Sequence, residues 1–578
     1  MAAADREVDL LVLGGGAGGM TAALVAAALG LDVLLAEKAA TVGGTTALSA
    51  GSVWVPNSHH SPPGSDDFDN ALRYFEAVIG SRLRAALTRA FLSAGPQMVS
   101  FLEQHTAVAF RAYPYHPDYL AELPGATLAG RVLEALPFDG RTLGRDFPRL
   151  RPPLPEFTVL GGLMVDRTDV AHLMNLTRSL ASFRHSAGLL LRYGADRLRR
   201  PRGTRLVMGN ALAGRLFASL LQRRVPVVTS TPAIGLIEAD GRVTGATLRS
   251  PSGTVAVRSR LGVVLATGGF SRDPELRRRL LPEPLPEYSP LVESVAGDGI
   301  RLGEQAGGGL GADHANNSFW APVSVRKRAD GSTAVFPHFV LDRGKPGLIA
   351  VDAKGCRFVN EATTYHRFAE AMYTAHAGSP AIPCHFICDD RFIAKYGLGM
   401  VRPHRSNLRR AIADGYVVRA GTLAELGGRL GIDPAALART VARHNAFATS
   451  GIDLDYGKGS DAYQRNLGDP SHGPNPCIGV LATPPFYAIE VYPGDIGASC
   501  GLVTDPSAQV LRGDGTPVEG LYACGNDMDS IMAGYYPAPG VTLGPAMTFG
   551  YIAARHAAER RRSHDASRSR TATGRAEV

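Results

Sequence analysis

The stretch VDLLVLGGGAGGMTAALVAAALGLDVLLAE, residues 8 to 37, constrains the fold more than any other. Asp9 to Leu13 is a short apolar run fit for a buried parallel strand; Gly14, Gly16 and Gly19 follow in GxGxxG spacing, and TAALVAAALG continues as a helix former. Gly14 permits the tight turn, Gly16 lets backbone approach a pyrophosphate, and Gly19 lets the helix pack on the strand. The helix N-terminus, with Ala17 and Gly18, faces the phosphate charge. A second strand, LDVLLAE, ends in Glu37, about 20 residues beyond the glycines, where an acid accepts a ribose 2′-OH. An adenine dinucleotide without a 2′-phosphate is implied. The charge pattern of Leu10 to Leu31 imitates a membrane span, but five glycines between 14 and 19 cut it into strand, turn and helix.

A chain of 578 residues, 45% of them hydrophobic, buries two or three domains that need not be contiguous. Its six cysteines form no CxxC pair and lie by no histidine ladder, so no disulfide framework and no metal site is expected, and a reducing cytoplasm fits. The start, MAAADREVDLL, carries acids where a secretory signal carries bases, so export is not expected. The +8 balance is modest and sits partly in RRRSHDASRSRTATGR, which reads as a disordered tail; nucleic acid is no candidate partner. In FRHSAGLLLRYGADRLRRPRGTR, residues 183 to 205, arginines flank a leucine cluster. That pattern suits a helix lying on a membrane surface as well as a solvated helix with a few core leucines.

Other segments fill in the cofactor end. Lys38 leads into AATVGGTTALSAGSVWVPN, residues 39 to 57, whose small residues, among them Gly43, Gly44, Thr45, Thr46, Ala50 and Gly51, let backbone lie against a flat ring system. LGVVLATGGFS, residues 261 to 271, reads as a buried strand ending at Ala266, Thr267 and Gly268, and GLYACGND, residues 520 to 527, as another ending at Gly525 and Asn526. Strand ends so far apart suggest one sheet built from both ends of the chain. This arrangement resembles the flavoprotein family of succinate dehydrogenases, fumarate reductases and 3-ketosteroid dehydrogenases, from Asp9 to about Ala558. The resemblance implies an α/β fold in which a Rossmann-like FAD-binding domain is interrupted by an inserted α+β catalytic domain. The expected divisions are 1–280 and 482–560 for the FAD-binding domain, 281–481 for the insert and 561–578 for the disordered tail. Ala233 is expected to offer backbone to the adenine, as in relatives. Some members tether FAD through a histidine after the second strand; GGTTALSAG has none, so noncovalent FAD is expected.

Charge separates the branches of this family, because a dicarboxylate site needs positive groups. From Asp495 to Ala554 the only basic residue is Arg512, in the hairpin-like VLRGDGTP, which favours a neutral substrate unless Arg343 or Arg357 reaches in from the insert. In AGYYPAPGVTLGP, residues 533 to 545, Pro537 and Pro539 lack an N–H, so between Tyr536 and Gly540 only Ala538 and Gly540 can donate from backbone. A phenol and an amide can then converge on one ketone oxygen as it becomes an enolate. YYPAPGVTLGPAMTFGYIA resembles the signature of 3-ketosteroid Δ1-dehydrogenases, which implies that Tyr536 and the Gly540 N–H bind a steroid C3 carbonyl. GCRFVNEATTY, residues 355 to 365, likewise places Tyr365 as the base for a C2 proton, and YPYHPDYLAELPG, residues 113 to 125, supplies a further tyrosine, Tyr119 with Tyr115 in reserve. Thr542 and Leu543 open a helix whose positive N-terminus is expected to face the flavin.

Tyrosine is a poor base: with a reference pKa near 10, holding it ionised at pH 7 costs roughly 4 kcal/mol, so a hydrogen bond from Tyr119 to Tyr365 is expected to help. His314 and His366 read as ordinary polar residues, and Cys500, in GASCGL, departs from the Gly-Gly of many relatives. The resemblance implies Δ1-dehydrogenation of a 3-ketosteroid, with electrons passing to a quinone-like acceptor in the cytoplasm or at the inner face of its membrane. The alternatives are a 3-ketosteroid Δ4-(5α)-dehydrogenase, an enone or enoate reductase, and a flavin- and lipid-binding protein without turnover.

Overall fold

The computed structural model describes residues 6–574; residues 1–5 and 575–578 lie outside it. The expected strand, turn and helix are Arg6–Leu13 and Ala17–Ala28, and the second strand is Val33–Ala36. Arg6–Leu13 lies parallel between Val33–Ala36 and Gly253–Leu265, and Val227–Val228 extends the sheet beyond Val33–Ala36. The helices Ala17–Ala28 and Leu543–Gly574 pack on this parallel region, and its buried part, residues 10–13, 33–36 and 263–265, is a continuous apolar run in each strand.

The strand Gly253–Leu265 serves two further neighbours. Its first part pairs antiparallel with Arg242–Ser250, which pairs in turn with Ala233–Ala239. Its last residues, Val263, Val264 and Leu265, lie parallel to Leu521, Tyr522 and Ala523 of Pro517–Ala523. The late segment thereby completes a sheet begun at the N-terminus. The helix Leu543–Gly574 then crosses Ala17–Ala28 at glycines, since a Cβ on Gly550 would stand 2.6 Å from the Gly18 carbonyl oxygen.

The insert carries a second, antiparallel sheet in the order Thr333–Pro337, Ser318–Lys327, Phe486–Ala498, Cys384–Asp389, Leu348–Val351, with Val418–Ala420 beside the start of Phe486–Ala498. This corrects the division at 281 and 481. The sheet of the insert spans Ser318 to Ala498, and Phe486–Ala498 is its central strand. Residues ahead of it belong with the first domain: Leu310 bridges Leu502, and a Cβ on Gly303 would meet the Leu502 side chain at 2.3 Å. Proline punctuation such as TPPFY marks where an element begins, and that need not be where a domain begins. The tail is a second correction. The last helix continues to Gly574 through most of the segment read as disordered, because extending an existing helix needs no new nucleus and Ala and Arg are good helix formers. Residues 575–578 lie outside the described part. The basic stretch at 183 is helical, Leu180–Arg197, and among the described residues no helix is long and apolar enough to cross a membrane.

A cavity of about 720 Å³ lies between the two sheets, at the carboxyl ends of Arg6–Leu13, Val33–Ala36 and Gly253–Leu265. Ligands of open α/β sheets bind at such an edge. The closest joint beneath it is Gly19, where a Cβ would stand 2.0 Å from the Gly14 carbonyl oxygen. Gly19→Ala is expected to destabilise the protein by about 1–3 kcal/mol through forced separation of helix and strand. Urea unfolding of the cofactor-free protein measures this, and an unchanged midpoint would refute the close packing assigned to Gly19.

Candidate active site

At the nucleotide end the turn is built for close approach. Gly14 has φ +114°, and a Cβ there would stand 2.1 Å from the Ala266 carbonyl oxygen. At Gly16, by contrast, an added Cβ would have only the Thr46 hydroxyl within 4 Å, at 3.9 Å, so it would project into open cavity. The N-cap of the helix beginning at Ala17 is Gly16, which has no side chain to offer; the Ala17 N–H donates to the Thr46 hydroxyl at 3.1 Å, and the amides that follow are left for an anion. Both oxygens of Glu37 accept backbone N–H groups at 2.7 Å, from Gly15 and Ala39, which fixes the carboxylate at the cavity wall. Lys38 is tied to Asp298 at 2.7 Å.

Of the residues singled out in the sequence, the cavity is also lined by Ala17, Gly18, Gly44, Thr45, Thr46, Ala50, Gly51, Ala233, Ala266, Thr267, Gly268, Gly525, Asn526, Thr542 and Leu543. Gly19 and Gly43 stand off it. Gly19 packs helix on strand, and Gly43, at φ +106°, donates its N–H to the Gly15 carbonyl at 2.8 Å and so braces the turn from behind. An open glycine turn, a fixed acid at the end of the second strand and a small-residue wall suit an adenine dinucleotide with an attached flat ring system.

One residue at this end escaped notice in the sequence. Asp527 is fully buried and accepts the Thr267 and Gly269 backbone N–H groups, the latter at 2.8 Å, and the Thr267 hydroxyl at 3.0 Å. Burial pushes its carboxyl up to about 6. The only signal was an acid directly after the glycine turn of GLYACGND.

Opposite this wall stands a cluster of tyrosines. Tyr365 is the first residue of the helix Tyr365–His376, whose N-cap Thr364 accepts the Arg367 N–H at 3.2 Å. Tyr119 donates its phenolic hydrogen to the Tyr365 oxygen at 3.1 Å. The rings of Tyr119 and Tyr365 stand 6.0 Å and 5.2 Å from that of Tyr536, and all three line the cavity. The hook that carries Tyr536 is held through the Pro537 carbonyl, which accepts the Tyr119 N–H and the Tyr74 hydroxyl, each at 2.8 Å. Gly540 has φ +92°, and a Cβ there would be 2.6 Å from the Ser52 carbonyl oxygen. Its own carbonyl accepts the Trp54 N–H at 3.2 Å. Its N–H faces no acceptor among the described residues, although Gly540 is buried and lines the cavity.

Tyr115 is corrected. It is 46% exposed and absent from the cavity wall, because the segment turns its Tyr119 side inward to meet Pro537. Tyr463, from the short helix Ala462–Leu467, was missed: its ring lies 4.6 Å from Tyr119, fully buried, and its hydroxyl has no hydrogen-bond partner among the described residues. No motif announced it.

Charge around the cluster is spent within the protein. Arg343 is fully buried, with N–H groups on the carbonyls of His338, Phe339, Glu361 and Thr363. Arg357 pairs with Glu361 and Asp453, each at 2.8 Å. Neither is free to grip a substrate acid. Burial raises the phenols of Tyr119 and Tyr365 well above the ordinary value, with neighbouring tyrosines adding to it, while the Arg343 charge eases Tyr119 downward. Tyr536 is raised too, by burial.

His366 is structural: Nδ1 accepts the Trp320 N–H at 3.0 Å, so Nε2–H donates to the Gly534 carbonyl at 3.0 Å, and burial pulls it down to about 3. His314 lies 2.6 Å from Asp529 beside Arg84, and burial lowers it to about 4. Cys500 is buried with its thiol on the Gly311 carbonyl, and burial pushes it up to about 11, so it is no nucleophile.

Fold and site together define an FAD-dependent oxidoreductase of the two-domain flavoprotein type. The FAD binding domain family matches residues 9–543. The chain is 37% identical over 574 residues to a 3-oxosteroid 1-dehydrogenase of Mycobacterium tuberculosis, covering 96% of this chain and 99% of that one. It is also 37% identical to 4-oxocyclohex-2-ene-1-carboxylate 5-dehydrogenase of Sinomonas cyclohexanicum, covering 95% and 93%. Among solved structures, 3-ketosteroid Δ1-dehydrogenase from Sterolibacterium denitrificans, in complex with 1,4-androstadiene-3,17-dione, matches with TM-score 0.89 at 36% identity, over 96% of this chain and all of that one. The chain belongs to the FAD-binding family of 3-ketosteroid Δ1-dehydrogenases.

Proposed function

We propose that this protein removes the C1 and C2 hydrogens of a 3-ketosteroid whose ring system is uncharged, holding the C3 oxygen with the Tyr536 hydroxyl and the Gly540 N–H and taking the C2 proton with Tyr365. The observation that carries this reading is the Gly540 N–H. A buried donor left without a partner costs roughly 1–3 kcal/mol, so its place on the cavity wall suits a ligand oxygen. Tyr536 sits on the same hook, at the other side of Pro537 and Pro539. Two such donors stabilise charge gathering on the ketone oxygen, each by up to about 3–4 kcal/mol, and so acidify the adjacent C2. Tyr119 donates to the Tyr365 oxygen and steadies negative charge there. FAD, held noncovalently where residues 43–51 offer no histidine, supplies the acceptor for the hydride that leaves C1.

The Sinomonas relative is named for a keto acid, which prompts the question of a carboxylate on the substrate ring. Such a group would stand among the tyrosines, where the nearest cation, Arg343, already spends N–H groups on four carbonyls. This supports the neutral ring system. Tyr536→Phe is expected to lower the single-turnover rate of FAD reduction by 4-androstene-3,17-dione about 10²–10³-fold while the protein stays yellow. The wild-type product is expected to be the 1,4-diene; no change in that substrate would favour the Δ4-(5α)-dehydrogenase, and a saturated product the reductase.

Because burial raises the Tyr365 phenol, its ionised form is a minor species throughout the neutral range and grows about tenfold per pH unit. The same rate is therefore expected to climb from pH 6 to pH 10 without a plateau. A flat profile would remove ionised tyrosine from the reaction.

The same reading includes a quinone-like acceptor and a cytoplasmic location at the inner face of the membrane. Its support is the helix Leu180–Arg197 and the residue after it. Leu180, Phe183, Leu191 and Leu198 are 74%, 55%, 75% and 87% exposed and recur at helical spacing, with Arg184, Arg199 and Arg200 alongside. The protein is expected to float with anionic vesicles at low salt, and Leu191→Glu with Leu198→Glu to abolish this. No flotation of the wild type would refute the membrane contact.

A further inference from the structure

The outer part of the cavity wall carries positive charge that no carboxylate among the described residues pairs with. Three carboxylates on it have their own arginines: Glu134 with Arg111 at 2.6 Å, Glu156 with Arg328 at 2.8 Å, and Asp166 with Arg205 at 3.1 Å. Two arginines on the same wall have no carboxylate. Arg402 donates one side-chain N–H to the Thr158 carbonyl at 2.6 Å and makes no ion pair among the described residues. The Arg167 side chain makes neither an ion pair nor a hydrogen bond among the described residues; its guanidinium stands 5.4 Å over the Tyr113 ring.

We propose that Arg167, with Arg402 on the same wall, binds a carboxylate at the end of a side chain on the steroid, remote from the 3-oxo group. This rests on the ketosteroid reading above and extends it to the substrate's far end.

Arg167 is connected to the tyrosine cluster by a ladder of rings. Tyr113 stands 5.5 Å from His116, and His116 stands 6.5 Å from Tyr119. Burial, with the Arg167 charge adding to it, drops His116 to about 4, so His116 is neutral and the positive charge here belongs to the arginines. The same wall also carries Phe157, Val159, Val165, Val170 and Leu341, an apolar surface that suits an alkyl chain. Leu341 and Val170 are 58% and 46% exposed, which places this part of the wall at the mouth.

The backbone that presents Arg167 is firmly held. Asp166 and Asp169 form a reciprocal capping box around it, and Arg205 bridges both acids, reaching Asp169 at 2.6 Å. Arg167 is the first residue of that helix, where the macrodipole disfavours a cation. Helix electrostatics therefore give no reason for a positive charge there, and the helix end itself is already served by Asp166 and Asp169, so an incoming anion would meet the guanidinium alone. A planar guanidinium already stacked on an aromatic ring loses little freedom on pairing with a carboxylate.

The test compares three substrates on the FAD-loaded enzyme: 3-oxo-4-cholen-24-oic acid, its methyl ester, and 4-androstene-3,17-dione. Acid and ester differ only in the charge, so the ratio of their kcat/KM values within one protein cancels any general loss of activity or folding. Wild type is expected to prefer the acid at least tenfold at low salt, with the preference shrinking as salt screens the exposed pair. Arg167→Gln together with Arg402→Gln is expected to bring the ratio to about one. An acid-to-ester ratio near one in the wild type, or a preference that survives the double substitution, would overturn the proposal. Turnover of none of the three would instead sink the ketosteroid reading, and the subsite with it.

Discussion

The whole site hangs on one closure. Residues from the two ends of the chain meet where Val263–Leu265 pairs with Leu521–Ala523, and just beyond those strand ends the buried Asp527 carboxylate takes the N–H groups of Thr267 and Gly269. A loop turning away from a strand end leaves amides without partners, and a buried amide without a partner is costly. Asp527 satisfies two of them with one residue from the returning segment. The joint therefore both shapes the cofactor wall and fixes the point from which the chain runs on to the Tyr536 hook. The high carboxyl value that burial imposes on Asp527 is offset in part by those same amides.

The hook is rigid for complementary reasons. Two prolines remove backbone freedom and donors, Gly540 is wedged against Ser52 and Trp54 at a φ that other residues rarely adopt, and the Pro537 carbonyl is clamped by Tyr119 and Tyr74. One clamp thus sets the position of two functional phenols, Tyr536 through its chain and Tyr119 through its own N–H. Electrostatics then oppose ionisation: burial raises every phenol in the cluster, and the one buried cation beneath it, Arg343, is held by carbonyl oxygens instead of by a carboxylate. A guanidinium without a neutralising acid at contact leaves its field available to the tyrosines.

Much of the cofactor end was legible because its geometry is local. The glycine spacing, the apolar strand before it and Glu37 at the end of the next strand are read within about thirty residues, and each has a backbone reason that sequence records directly. The same holds for the hook, where Pro-Ala-Pro-Gly dictates which amides can donate. Boundaries were less legible. Phe486–Ala498 looks like any apolar strand, and whether it joins one sheet or the other depends on partners far away, here Ser318–Lys327 and Cys384–Asp389. Tyr463 was invisible as a member of the cluster for the same reason, and Tyr119 could be told from Tyr115 only once the Pro537 carbonyl was in place.

Sequence alone determined the class of cofactor, the stiffness of the hook and the supply of tyrosines, since these follow from backbone conformations and donor counts that neighbouring residues impose. Tertiary structure decided which phenols converge, which arginines are already engaged and which remain open at the mouth. Burial and charge pairing join residues hundreds of positions apart, and no local pattern encodes the distance between them.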